Sequence, residues 1–98
     1  MTPQQIKAQF GRALAQISKG QLDPAEATLK SLLLPTKGAP EVHYHLSRIA
    51  ETRGDTPAQI RELDRALAKK PYEKTLLKAA VEAYSRLEAS DKVLGLYD

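Results

Sequence analysis

The chain has 98 residues, 15 Lys and Arg against 12 Asp and Glu, a net charge of +3 and no Cys. That length suits one small domain, and the missing Cys excludes disulfide frameworks, thiolate metal sites and Cys nucleophiles. Hydrophobic residues make up 42% and aromatics 5%, and Ala, Leu, Lys, Gln, Glu and Arg dominate, so helices are favoured over strands.

Helix starts are marked along the whole chain. Thr2-Pro3-Gln4-Gln5 reads as an N-cap, a Pro at the first helical position and a capping-box Gln. Asp23-Pro24-Ala25-Glu26 and Thr56-Pro57-Ala58-Gln59 repeat that chemistry. Pro40 and Pro71 mark two further starts, each followed by an acid, and Ser90-Asp91 offers a cap for a sixth helix. The helices predicted from these signals cover about 3–19, 24–34, 40–53, 57–70, 72–87 and 90–98. Each has apolar residues at helical spacing: Ile6, Phe10, Ala13, Leu14 and Ile17 in the first, Leu77, Ala80, Val81, Tyr84 and Leu87 in the fifth. Gly20 and Gly54 fall at turns, and Pro35 helps to end the second helix. No window alternates with period two, so no strand is predicted. Short links between consecutive helices imply antiparallel hairpins. One hairpin cannot bury its apolar face alone, so three hairpins must stack.

The chain repeats. A shift of 34 residues carries Gly20 onto Gly54, Leu29 onto Leu63, Leu33 onto Leu67, and Ala13 onto the equally small Ser47. The third copy matches less well, because Gly54 falls on Glu88. In the middle copy, Leu46-Ser47, Ala50, the Gly54-Asp55 turn, Leu63, Ala66-Leu67 and Pro71 resemble the tetratricopeptide repeat (TPR). His43 departs from that pattern, and so does Gln59, which stands where the family has an Ala for close helix packing. The expected fold is therefore all-α: an α-α superhelix of stacked antiparallel hairpins, with about three TPR-like repeats. They form one domain over 1–98, at about 3–36, 40–71 and 72–98. The last repeat is cut off inside its second helix, as in a segment of a longer protein.

Little in the chain points to chemistry. His43 and His45 are two apart on a helix, so their rings diverge by about 200° and cannot share one ion. His43 is expected to be partly buried in the packing and His45 exposed. The acids form no pair suited to acid–base work, the serines lack an elbow motif, and the five glycines make no phosphate loop. The expectation is no enzyme, no cofactor and no metal. Arg61, Arg65, Lys69 and Lys70 form a basic stripe, but Glu62 and Asp64 interrupt it, so it reads as a solvated face and not a nucleic-acid footprint. No signal peptide opens the chain and Leu32-Leu33-Leu34 is too short to span a bilayer, so no membrane is expected and the compartment is read as cytoplasmic.

The resemblance implies a concave groove lined by the first helix of each hairpin. Its residues would be Tyr44, Arg48 and Glu51 in the second copy and Lys78, Glu82 and Ser85 in the third, with Gly11 and Ala15 as first-copy counterparts that leave room for a ligand backbone. The Lys and Asn carboxylate clamp of some family members is not matched by Gly11, Ala15, His45, Thr75 and Ala79. The implied function is a protein–protein interaction scaffold that takes a peptide or partner helix. The alternative is an accessory segment ahead of a bacterial sulfotransferase or glycosyltransferase, since Gly20 to Ala27 resembles repeats found there. Val93, Leu94 and Tyr97 would leave an apolar face on the short sixth helix, from which a homodimer through that helix is expected.

Overall fold

The computed structural model describes the backbone of residues 1–93 and the side chains of residues 1–88. Five helices follow one another: α1 (Pro3–Ser18), α2 (Leu22–Ser31), α3 (Pro40–Thr52), α4 (Thr56–Lys69) and α5 (Lys74–Val93). No strand occurs among the described residues.

Local chemistry accounts for most of the boundaries. At α1 the capping box is complete: Gln5 N donates to Thr2 Oγ1 at 3.1 Å, and Thr2 N donates to Gln5 Oε1 at 2.9 Å. The ends of α1 and α3 share one device. Gly20 and Gly54 both take φ of 75°, in the left-handed region. The amide that follows each then reaches back five residues, Gln21 N to Gln16 O at 2.8 Å and Asp55 N to Ala50 O at 2.9 Å. Those bonds satisfy carbonyls that would otherwise be orphaned at a helix end.

Several expected boundaries are corrected. α2 starts at Leu22 with Gln21 at its cap position, so Asp23 lies inside the first turn beside the positive helix end. α4 is capped by Asp55, not Thr56, and Asp55 Oδ1 accepts from Ala58 N at 3.2 Å. α2 ends at Ser31, three residues short of the prediction, and α5 starts at Lys74, not at residue 72. The sixth helix predicted to start at Ser90-Asp91 is not a separate element, because α5 continues through both residues to Val93. The reason lies at Glu88. It stands where the earlier copies have Gly20 and Gly54, and a non-Gly residue does not readily enter the left-handed region that ends a helix this way.

Long-range ion pairs fix the directions of the helices. Arg53, just past the end of α3, donates to Asp23 and, at 3.0 Å, to Glu26, both in the early part of α2. Arg86, late in α5, lies 3.3 Å from Glu51 near the end of α3 and donates to Gln59 near the start of α4. At the opposite end Lys70, after α4, meets Glu41 in the first turn of α3 at 3.2 Å. Thus α1, α3 and α5 run one way and α2 and α4 the other.

The core has two parts. Ala13, Ala25, Leu29, Leu32, Val42, Leu46 and Ile49 join α1, α2 and α3. Ile60, Leu63, Ala66, Leu76, Ala80 and Ala83 join α4 to α5. The 34-residue shift carries Val42, Leu46 and Ile49 onto Leu76, Ala80 and Ala83, so α5 presents to the core the same face as α3. The apolar residues expected to be buried on α5 are therefore partly wrong: Leu77, Val81 and Tyr84 are exposed.

Candidate functional site

The parallel helices α1, α3 and α5 bring their starting turns to one end of the molecule. Two clefts open there. One, of about 300 Å³, lies between the starts of α3 and α5 and is lined by Pro40, Glu41, Tyr44, His45, Lys70, Glu73, Thr75 and Leu76. The other, of about 270 Å³, lies between the starts of α1 and α3 and includes Ile6, Phe10, Ala39, Glu41 and Val42. Glu41 borders both.

The electrostatics of this end centre on α3. The Glu41 carboxyl is held below its ordinary range, chiefly by a hydrogen bond from its own backbone N–H at the helix start. Burial opposes this, and Lys70 assists it. His45 packs edge-on against Phe10, with ring centroids 5.3 Å apart, and against Tyr44 at 5.2 Å. Burial lowers its pKa, Arg48 pushes the same way, and Glu41 opposes them. His45 is therefore neutral at pH 7 and offers one donor and one acceptor. Its half-buried place corrects the expectation of an exposed ring.

The six groove residues expected from the sequence are only partly brought together. Tyr44 lines the larger cleft and packs against the α4–α5 core. Glu51 is tied to α5 through Arg86. Arg48 is exposed one turn beyond Tyr44. Lys78, Glu82 and Ser85 are exposed on α5 and line neither cleft. The expected self-association residues fall differently: Val93 belongs to α5, its side chain is outside the described residues, and Leu94 and Tyr97 lie outside them altogether.

Comparisons with protein-family models, with curated proteins and with solved structures gave no match.

Sequence reasoning missed Glu41, Lys70 and Glu73 as cleft residues, whereas His45 and Thr75, both at places that correspond to the clamp, line the larger cleft. A signal for Glu41 was present, since an acid in the first turn beside Pro40 marks a helix start. Lys70 was read as one of a basic stripe, but it turns back to pair with Glu41. Arg65 likewise pairs with Glu62 at 3.0 Å, so two of the four stripe residues are engaged. No described helix is long and apolar enough to cross a membrane.

His43 also finds a structural partner. It is buried, and its Nδ1 lies 3.2 Å from Glu62 Oε2 on α4. Since an ionised carboxylate can only accept, the ring nitrogen donates. In the first hairpin Thr28 Oγ1 donates to Gln16 Oε1 at 2.9 Å, and the shift of 34 carries Thr28 onto Glu62. The first two hairpins thus each carry a polar link from the same position of their second helix, and the α3–α4 hairpin adds the Lys70–Glu41 pair.

Proposed function

We propose that the chain is a protein–protein interaction module of TPR-like repeats, built as an α-α superhelix, that holds a segment of a partner protein along the α1–α3–α5 side and performs no catalysis of its own. The observation that carries this reading is the position of both clefts, which open between the starting turns of these three parallel helices and share Glu41. Tyr44 supplies a ring with a polar tip, suited to an amphipathic contact. Glu41 and Glu73 favour a ligand with a backbone N–H or a basic side chain at that end. Arg48 and Glu51 continue the contact along α3, and Lys78, Glu82 and Ser85 are its polar flank on α5.

The test starts from a random-peptide display library selected against the 98-residue chain. The affinity of one selected peptide is then measured by fluorescence anisotropy for the parent, Tyr44→Ala and Glu41→Lys, with Lys19→Ala as a control outside both clefts. A loss of about tenfold or more for Tyr44→Ala and Glu41→Lys, with Lys19→Ala unchanged, supports the reading. Equal affinity for all four proteins overturns it.

A further inference from the structure

We infer that the chain pairs with a second copy of itself through the exposed face of α5 formed by Leu77, Val81 and Tyr84, the two α5 helices lying antiparallel about a two-fold axis near Val81.

The face is identified by the repeat itself. Leu77, Val81 and Tyr84 stand 34 residues after His43, Ser47 and Ala50. On α3 those three positions are buried, at 8%, 1% and 8% exposure. On α5 the same positions are 42%, 66% and 48% exposed. Position for position, this is the side of the repeat that lies buried in the middle copy. It is also more apolar on α5 than on α3, where it carries a His and a Ser. Three apolar side chains one turn apart, exposed together, mark an interaction surface in a way that scattered apolar residues do not.

The side chains here are of the wrong size for a tightly packed hairpin partner. Ser47 and Ala50 are small, which lets backbones approach closely. Val81 and Tyr84 are large, as in the interdigitated side chains of a helix pair with wider spacing. The charges then select the occupant. Lys74 and Lys78 flank the start of the face. Beyond Val81 the acids are Glu82 on α5 and Asp64 on α4, which accepts a 3.4 Å hydrogen bond from the Tyr84 hydroxyl, while Arg86 in the same half is taken up by Glu51 and Gln59. An antiparallel second copy sets the basic half of one α5 against the acidic half of the other, twice over, because a two-fold interface repeats every contact. A parallel pair would oppose like charges.

Sedimentation velocity over a concentration series, in low salt and in high salt, tests the pairing on the full chain. The expected result is a monomer–dimer equilibrium that weakens with salt. Val81→Glu should raise the dissociation constant by about tenfold or more while leaving the helical circular dichroism unchanged, since the side chain is exposed in the monomer. Lys78→Glu and Glu82→Lys should each weaken the dimer, and the double reversal should restore it. Because the chain has no Cys, Val81→Cys adds a single thiol. It should oxidise to a disulfide-linked dimer, whereas Leu34→Cys, at a more exposed site on another part of the surface, should not. A parent that stays monomeric throughout would mean that residues beyond 93 or a different protein cover the face, and would overturn the inference. Assemblies larger than a dimer, or equal cross-linking of the two Cys variants, would overturn it too.

Discussion

Arg86 on α5 donates through Nη2 to the side-chain oxygen of Gln59 on α4 at 2.7 Å, and Gln59 is only 4% exposed. Arg53 and Glu26 repeat this arrangement one hairpin earlier, and both pairs are 27 residues apart in sequence. An arginine late in, or just past, one helix thus reaches back to the first turns of the helix before it. Gln59 occupies the place that Ala25 has in the first hairpin, 34 residues earlier. A buried amide there is tolerable because α5 brings it a charged donor.

The coupling of this pair is measurable. Arg86→Ala should cost about 1–3 kcal/mol, since it strips a buried acceptor of its partner. In a Gln59→Ala background the same change should cost clearly less, because only the exposed Glu51 ion pair is then lost. Urea denaturation of the four proteins gives the cycle. Strictly additive costs would show that the hydrogen bond contributes nothing.

Gly54 and Gly11 should respond oppositely to Ala. Neither would meet any atom within 4 Å of an added Cβ, so packing does not decide. Gly54 has φ of 75°, which costs an L-residue about 1–2 kcal/mol. Gly11 lies in the middle of α1 in ordinary helical geometry, where Ala gains about 0.5–1 kcal/mol. Thermal melts should show Gly54→Ala below the parent and Gly11→Ala above it.

Much of this fold was legible because the repeat writes the same local chemistry twice. Gly20 and Gly54 announce both sharp turns, and Thr2 with Gln5 announces the first cap. The α5 region was not read correctly, for a physical reason. The pattern Leu77, Ala80, Val81, Tyr84 and Leu87 follows helical spacing but passes over Leu76 and the small Ala83, which form the core face together with Ala80. The close packing of α5 on α4 needs those alanines. The period held the answer, since Val42, Leu46 and Ile49 map onto Leu76, Ala80 and Ala83. The larger cleft was hidden differently. Lys70 and Glu41 are 29 residues apart, and only the return of the chain through α4 brings them together.

Leu63→Ala should destabilise far more than Arg61→Ala. Leu63 is wholly buried in the α4–α5 core, where truncation costs about 2–5 kcal/mol. Arg61, two residues away, is exposed, and its loss should stay within about 0.5 kcal/mol. Equal denaturation midpoints would refute this placement of α4.

Zinc should leave the melting temperature unchanged. His43 faces Glu62 on α4, and His45 faces Phe10 on α1, so the two imidazoles are committed to opposite sides of α3. A rise of several degrees at micromolar zinc would contradict both placements.

Acid should destabilise the chain in two separable steps. His45 has a pKa below 6.5 in the folded protein, first because it is buried and second because Arg48 is near. In the unfolded chain it returns to about 6.5. Between the two values the unfolded chain binds a proton that the folded chain does not, so stability rises with pH across that window. The His45 contribution is complete above about pH 6.5 and is lost as the pH falls toward the folded pKa. Glu41 acts lower on the scale. Its pKa is depressed from 4.5 by the hydrogen bond from its own backbone N–H, with burial opposing and Lys70 assisting. Its contribution is present above about pH 4.5 and disappears as the pH falls through the folded value. His45→Gln should therefore flatten the decline that begins near pH 6.5 while keeping the one below pH 4.5. Glu41→Gln should do the reverse. Urea midpoints measured from pH 8 down to about pH 2.5 resolve the two steps. If His45→Gln declined in parallel with the parent just below about pH 6.5, the burial of His45 beside Phe10 would not be what sets this response.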